Sequence, residues 1–526
     1  MKLNLSELKN RKEWENRGIA VPPFDISSVR ENTRKNPAWI HFGAGNIFRA
    51  FPAALLQRLL ENGVYDRGVI VAEGFDYEII DKVYRPYDSL SLLAVLKADG
   101  SVEKRIVASV TESLKADFSF PEDWSRLIDI FGNPSLQMIS FTITEKGYGV
   151  NRDDFSLGLS PQSMMGKTAL LLLERWKAGG YPVTLQSMDN CSHNGDKLRN
   201  GVLSYADAWV KSELVPKSFY DWLSDENTVA FPLSMIDKIT PRPDETVRKM
   251  LTESGFEDSD IIVTSKNTFT APFVNAEETE YLVIEDRYVN GRPPLEEGGV
   301  LFTDRETVEK VERMKVCTCL NPLHTAMSVY GCLLGYSRIS DEMRDGDIRA
   351  FITKMGYNEA MPVVTEPGII SPSDFIDAVL TKRLPNPFIP DTPQRIATDT
   401  SQKIPVRFGE TVKEYLSRGL DTEKLVMIPL ALAGYARYLK GIDDDGNAFS
   451  PSPDPLLAEL QKIVAPLTLS ENQDMSCLRA LYSREDIFAV NLYDTPLGER
   501  IERMAAELFS GVGAVRKTLH KYISSF

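Results

Sequence analysis

Histidine and cysteine are both scarce in this chain, which holds four of the first and five of the second in 526 residues. The cysteines, at positions 191, 317, 319, 332 and 477, are odd in number and too few to staple a chain this long, so reduced thiols are expected. Cys317, Cys319 and His324 read as a C-x-C pair with a histidine, but no further ligand stands at a usual spacing, and no metal is expected. Positive charge is short as well. Lys+Arg number 60 against 75 Asp+Glu, a formal charge of −15 that repels polyanions and argues against nucleic acid or an anionic membrane as partner. Long apolar runs are missing: LVMIPLALAGYA from Leu425 contains a proline and stops short of a membrane span, and the first residues carry no apolar core of signal-peptide length. A cytosolic monomer is expected. The acidic loop at 441–455 fails the calcium-loop pattern, since counting from Gly446 puts Gly441 and Ser452 at the first and twelfth ligand positions.

What is present is enough apolar residue, 43%, to build two large domains. AWIHFGAG reads as a strand entering a glycine turn, AFPAALLQRLLENG as a helix ending on Gly63, and GVIVAEG as the next strand, which together make a β-α-β unit. LSLLAVLKADGSVEKRIVASV reads as a hairpin turning at Asp99-Gly100 and appended to the parallel sheet. LQMISFTITEKGYG and PVTLQSMDN read as further strands ending in polar residues, where ligands collect in open α/β sheets. Past a turn-rich link at 289–299, helical periodicity takes over. The expected fold is α/β, with a Rossmann-like dinucleotide-binding domain over 1–300 followed by a mostly α-helical domain over 301–526.

In HFGAGNIFRAF, Gly43 and Gly45 have G-x-G spacing, with Phe48 at the third glycine position. An ordinary strand-to-helix turn has the same appearance. The flanking strand and helix, and Glu73 at the end of the next strand, favour a dinucleotide held on the helix N-terminus, with Gly43, Gly45, Asn46, Phe48, Arg49 and Glu73 as the contacts. Arg49 reads equally as a phosphate contact or a solvated surface charge. A carboxylate at Glu73 would accept hydrogen bonds from ribose hydroxyls and repel a 2′-phosphate, so NAD is expected over NADP.

Five stretches in order, HFGAGNIFRA, SMDNCSHNG from Ser187, FPLSMIDKITP from Phe231, KVCTCLNPLH from Lys315 and RIATDTSQKIP from Arg395, resemble the polyol-specific long-chain dehydrogenase/reductase family. The resemblance implies a zinc-independent, NAD(P)-linked oxidoreductase with its active site between two domains. It implies Lys315 as general base, Asn190 and Asn321 as ligands of the reacting oxygen, His324 as a substrate-orienting residue, and Asp237, Arg395 and Lys403 in the substrate pocket. Two departures stand out. Five residues separate Lys315 from Asn321 where the family has four, and on a helix one extra residue turns a side chain by about 100° unless a bulge absorbs it. Pro322 follows Asn321 in place of the commoner glycine.

The residue types suit alcohol oxidation: a lysine whose pKa is lowered by burial or neighbouring cations can take the hydroxyl proton, and asparagine donors can hold the oxygen. A surface lysine, an Asn-Pro turn, buried packing cysteines and a core histidine would account for the same residues singly. Asp237 reads also as a structural loop anchor, and Arg395 and Lys403 as partners of Asp391 or Asp399. The expected reaction interconverts a sugar acid or polyol with its keto form, D-mannonate with D-fructuronate first and D-mannitol with D-fructose second. A catalytically inactive NAD-binding sensor is the third expectation.

Overall fold

The computed structural model describes residues 1–525. The chain divides into two compact units, one of Met1–Lys97 with Ser101–Glu309 and one of Ala98–Gly100 with the chain from Lys310 onward. The division falls between Glu309 and Lys310, inside a continuous helix, and not in the link at 289–299.

The first unit is built on six parallel strands: β1 (Trp39–Phe42), β2 (Val69–Glu73), β3 (Val110–Lys115), β4 (Met138–Phe141), β5 (Val183–Ser187) and β6 (Val229–Ala230). Their order is β3-β2-β1-β4-β5-β6, that of a dinucleotide-binding sheet. β1 and β2 are apolar runs buried along their whole length because both sheet faces are covered. Side chains alternate between two cores. Ile40, Phe42, Ile139 and Phe141 join one with Leu127 and Trp209, and Trp39, Val69, Val71 and Met138 join the other with Leu55, Leu56 and Leu59.

After β1 come α1 (Asn46–Ala50) and α2 (Pro52–Glu61), broken at Phe51, and Gly63 closes α2 with a positive φ as expected. After β5 comes α3 (Asn194–Lys211). The hairpin Ser91–Leu96/Val102–Val107 forms, but it is not appended to the parallel sheet. It lies in a separate four-stranded sheet between Ile19–Ala20 and Phe273–Glu277, because the latter strand pairs in parallel with Ser91–Leu96. A third sheet carries Ser234–Asp237, Tyr281–Glu285 and Leu301–Thr303.

α4 (Arg305–Met314) crosses the division, and from there on the described residues form helices with no strand beyond an isolated bridge. α5 (Asn321–Leu333), α6 (Met427–Leu439) and α7 (Leu497–Leu508) pack together as the centre of the second unit. α6 contains all but the first two residues of the apolar run noted above and is buried along its whole length. Its first amides, on Val426, Met427 and Ile428, donate to the Glu359 carboxylate. Among the described residues no helix is long and apolar enough to cross a membrane. Four i→i+5 turns interrupt this helical unit, at Lys315–Cys319, Met355–Ala360, Val379–Arg383 and Pro405–Gly409. Such turns hold one residue more than an α-helical turn and re-aim the side chains around them.

Candidate active site

The glycine turn has the geometry its spacing predicts. Gly43 sits at φ +108°, and a Cβ there would lie 2.2 Å from the Thr142 carbonyl oxygen at the end of β4, so no other residue fits. A Cβ on Gly45, which caps α1, would meet nothing within 4 Å, leaving that side open to close approach by a ligand.

Glu73 ends β2 as expected, but its carboxylate is committed to the backbone. One oxygen accepts from the Ala44 amide at 2.8 Å, and the other accepts from Phe75 at 2.8 Å and Asp76 at 3.1 Å. It ties the glycine turn to the loop after β2, and burial pushes its pKa up against the pull of those three amides. The oxygen facing Ala44 accepts one hydrogen bond and the other accepts two, so the carboxylate has a structural task beside the ribose contact expected of it. Beyond it a cleft of about 380 Å³ is lined by Phe75, Asp76, Glu78, Lys167 and Lys266 among others. Asp76 Oδ1 there is shut off from solvent with no hydrogen-bond partner, and the exposed Phe75 ring carries the Lys266 ammonium 5.0 Å from its centroid.

Arg49 is neither a phosphate contact nor a surface charge. It is fully buried and donates to Ala271 O (2.6 Å), Asn46 Oδ1 (2.8 Å) and Thr270 Oγ1 (3.1 Å), pinning a neighbouring loop. Phe48 is likewise a core residue, stacked on the His41 ring at 4.3 Å. Of the six expected cofactor contacts, the turn backbone from Gly43 to Asn46 keeps that expectation directly, and Glu73 keeps it beside its structural task.

At the C-terminal end of β5, the Asp189 carboxylate accepts from the amides of Ile143 and Thr144 and from the Tyr148 hydroxyl, joining the ends of β4 and β5. The next residue, Asn190, is exposed beside that anchored edge. Asn194 in the same motif is buried and bonded to Ser234. His193 takes a left-handed conformation, with its largely exposed ring 3.6 Å from Asp196. Asp237 is buried at the end of its strand.

In the second unit, α4 runs into the i→i+5 turn that begins at Lys315. The Leu320 amide donates to the Lys315 carbonyl at 3.1 Å, and α5 starts afresh at Asn321. The additional residue between Lys315 and Asn321 is therefore held in a bulge. Pro322 is accommodated because the first turn of a helix needs no amide donor. Lys315 is buried at 3% exposure. Cys319 is buried and Cys317 half-buried, and burial pushes their thiols to about 12 and about 11, so both stay protonated at neutral pH. Among the described residues no group of three or more His, Cys, Asp or Glu could hold a metal ion.

One turn into α5, His324 points Nε2 into a place without solvent or hydrogen-bond partner, 3.8 Å from Asp391 Oδ2. Burial, then the charges of Arg407, Arg395, Arg383 and Lys403, lower its pKa to about 3, so the ring is neutral. Arg395 is ion-paired with Asp391 and largely exposed. Lys403 donates to the carbonyls of Ile396 and Thr398, and its pKa falls to about 8 through burial and then the nearby Arg407. Arg395 thus takes the Asp391 partner that the alternative reading named, whereas Lys403 takes backbone carbonyls instead, and both cations still act on His324.

Arg383, Asp391 and Arg407 belong to this cluster and were not assigned to it from sequence. For Arg407 a signal existed: Lys403 and Arg407 stand four apart in one helical run, a like-charge spacing that is destabilising unless something is gained by holding the charges together. Asp391 is named above as a partner for Arg395, four residues on, and Arg383 carries no comparable local signal.

Comparison with known proteins agrees with the motif resemblance. The mannitol dehydrogenase Rossmann domain matches residues 37–297 and the mannitol dehydrogenase C-terminal domain matches 307–508. A D-mannonate oxidoreductase of Thermotoga maritima is 52% identical over 99% of both chains. A polyol:NADP oxidoreductase of Gluconobacter oxydans is 29% identical, with 85% of this chain matching 88% of that one. Among solved structures, the mannitol 2-dehydrogenase of Pseudomonas fluorescens in a ternary complex with NAD and D-mannitol matches at a TM-score of 0.70 and 26% identity, over 100% of both chains. The chain belongs to the mannitol dehydrogenase family.

Proposed function

We propose that the protein is an NAD-dependent oxidoreductase that interconverts D-mannonate and D-fructuronate. The observation that carries the choice of a sugar acid is the concentration of Arg383, Arg395, Lys403 and Arg407 around the neutral His324, beside the segment holding Lys315 and Asn321. Four cations, of which Arg383 is buried and Lys403 and Arg407 are half-buried, suit an anionic substrate better than a neutral polyol. The similarity to a relative named for D-mannonate points the same way.

Lys315 takes the proton of the substrate hydroxyl, and its burial at the start of the bulge supports that role. Asn321 donates to the oxygen as it passes from hydroxyl to carbonyl, stabilising it without adding net charge, and the family resemblance assigns Asn190 the same kind of donor role. His324 stays neutral at working pH and offers its buried Nε2 to a neighbouring substrate hydroxyl. Asp237 positions the loop that follows its strand or a substrate hydroxyl. NAD, when bound, supplies the hydride acceptor. The turn backbone from Gly43 to Asn46 would hold its pyrophosphate, and Asp76 with Glu78 on the cleft after β2 would oppose a 2′-phosphate.

A spectrophotometric screen of D-mannonate, D-altronate, D-mannitol and D-arabinitol with NAD and with NADP tests this directly. Fastest reduction of NAD with D-mannonate is expected. A preference for D-mannitol, the ligand of the Pseudomonas structure, would replace the sugar-acid reading, and no turnover of any of the four would favour an inactive NAD-binding sensor.

A further inference from the structure

The cations around His324 are not equivalent. Arg395 already has the Asp391 carboxylate, Lys403 already has two backbone carbonyls, and Arg383 is buried with contacts of its own. Arg407 differs from all three. Among the described residues its hydrogen bond is from Nη1 to the hydroxyl of Thr325, a neutral group, and the structure records no carboxylate of theirs within ion-pair distance of it. It sits in the i→i+5 turn Pro405–Gly409, which packs against α5, and Thr325 is the buried residue next to His324 on that helix.

Burying a guanidinium is costly unless its donors are met: the fully buried Arg49 meets that cost with three neutral acceptors, whereas the half-buried Arg407 has one. Burial has already lowered its pKa to about 10. One nitrogen on Thr325 fixes the plane of the fork while the guanidinium keeps further N–H donors, and a planar fork matches a carboxylate through two parallel hydrogen bonds. A neutral polyol offers no group that discharges this cation.

We propose that Arg407 is the specificity-determining residue for sugar acids: its guanidinium receives the substrate carboxylate, with Thr325 setting the plane in which it does so. This rests on the sugar-acid function proposed above.

The test compares D-mannonate with its uncharged analogue D-mannonamide, by steady-state kinetics with NAD, in the wild-type enzyme and in Arg407→Lys, Arg407→Met and Thr325→Val. The wild type is expected to prefer the acid. In Arg407→Met the acid-to-amide ratio of kcat/KM should fall by about 10²- to 10³-fold, mainly through the KM of the acid, as expected when one partner of a desolvated charge pair is removed. Arg407→Lys should restore part of the ratio, because it returns the charge without the fork. Thr325→Val should lower the ratio by a smaller factor. If Arg407→Met does not fold, the lysine and valine variants decide, and an unaltered ratio in both overturns the proposal. A folded Arg407→Met that still prefers the acid as strongly as wild type also overturns it, leaving the sugar-acid function intact. A wild-type enzyme that oxidises neutral polyols and not D-mannonate overturns both.

Discussion

Asp391 stands between His324 and Arg395, with one carboxylate oxygen 3.8 Å from the buried Nε2 and the other ion-paired to the guanidinium. Arg395 therefore spends its charge within the protein, and His324 keeps a buried nitrogen near a carboxylate without being protonated by it. The balance is set by burial and by four cations that outweigh one neighbouring acid. Replacing Asp391 with Asn should release Arg395 and alter substrate binding more than turnover. A change confined to kcat would show that the pair serves the chemical step instead.

Lys315→Ala should lower turnover by about 10² to 10⁴, the contribution of a positioned general base, with NAD affinity nearly intact. Cys317→Ser and Cys319→Ser should reduce thermal stability more than rate. Near-normal turnover in Lys315→Ala would mean the bulge directs this side chain elsewhere, and His193 would be the next base to test.

Gly43→Ala and Gly45→Ala should fail differently. The first forces a side chain to positive φ and into the Thr142 carbonyl, and should cost on the order of 3 kcal/mol of stability. The second finds open space and should leave the melting temperature within a degree or two of wild type. Its effect should appear as weaker NAD binding, about tenfold or more, where the ligand needs close approach. Calorimetric melting together with a cofactor titration separates the two, and equal NAD affinity in Gly45→Ala would remove this turn from the cofactor site.

His41 and His324 should make the fold sensitive to mild acid. Burial holds both rings neutral with pKa about 3, below the free value of 6.5, so between these limits the unfolded chain binds protons that the folded chain refuses. Their contribution is complete above pH 6.5 and declines as pH falls, by at most about 1.4 kcal/mol per pH unit for each ring. Melting temperature measured from pH 7 to pH 4 should drop, with a shallower slope in His41→Asn. An unchanged slope would show that other groups govern the acid limb.

Lys403 should impose an upper pH limit on binding of the sugar acid. With its pKa lowered to about 8, it is cationic below that pH and neutral above it, so the pocket loses one attractive charge as pH rises. The dissociation constant of D-mannonate from the NADH complex should increase above about pH 8, and the increase should be absent in Lys403→Met. A pH-independent constant in the wild type would place this amine outside the reach of the carboxylate.

The β-α-β unit, the glycine turn and the change to a helical second unit were legible because each depends on local periodicity and on one residue type that the backbone requires. Gly43 is the clearest instance: its positive φ excludes other residues whatever surrounds it. The placement of the hairpin was not legible, since its partner strand Phe273–Glu277 lies far along the chain and pairing of that kind leaves no local trace. Glu73 was found at the right strand end, yet its orientation depends on three amides brought together by folding.

In the second unit the sequence alone determined which residue types are available: a lysine, two asparagines, a neutral or charged histidine and several cations, with one residue too many between Lys315 and Asn321. Only the tertiary structure decided how that excess is absorbed, because an i→i+5 turn is a choice of hydrogen-bond partner, Leu320 to Lys315, that composition does not encode. It also decided which cations keep protein partners. Arg395 and Arg407 are alike as letters, and what separates them is that folding gives one a carboxylate and the other a hydroxyl. The energy of a buried charge depends on what lies within a few ångströms of it, and sequence distance carries little of that information.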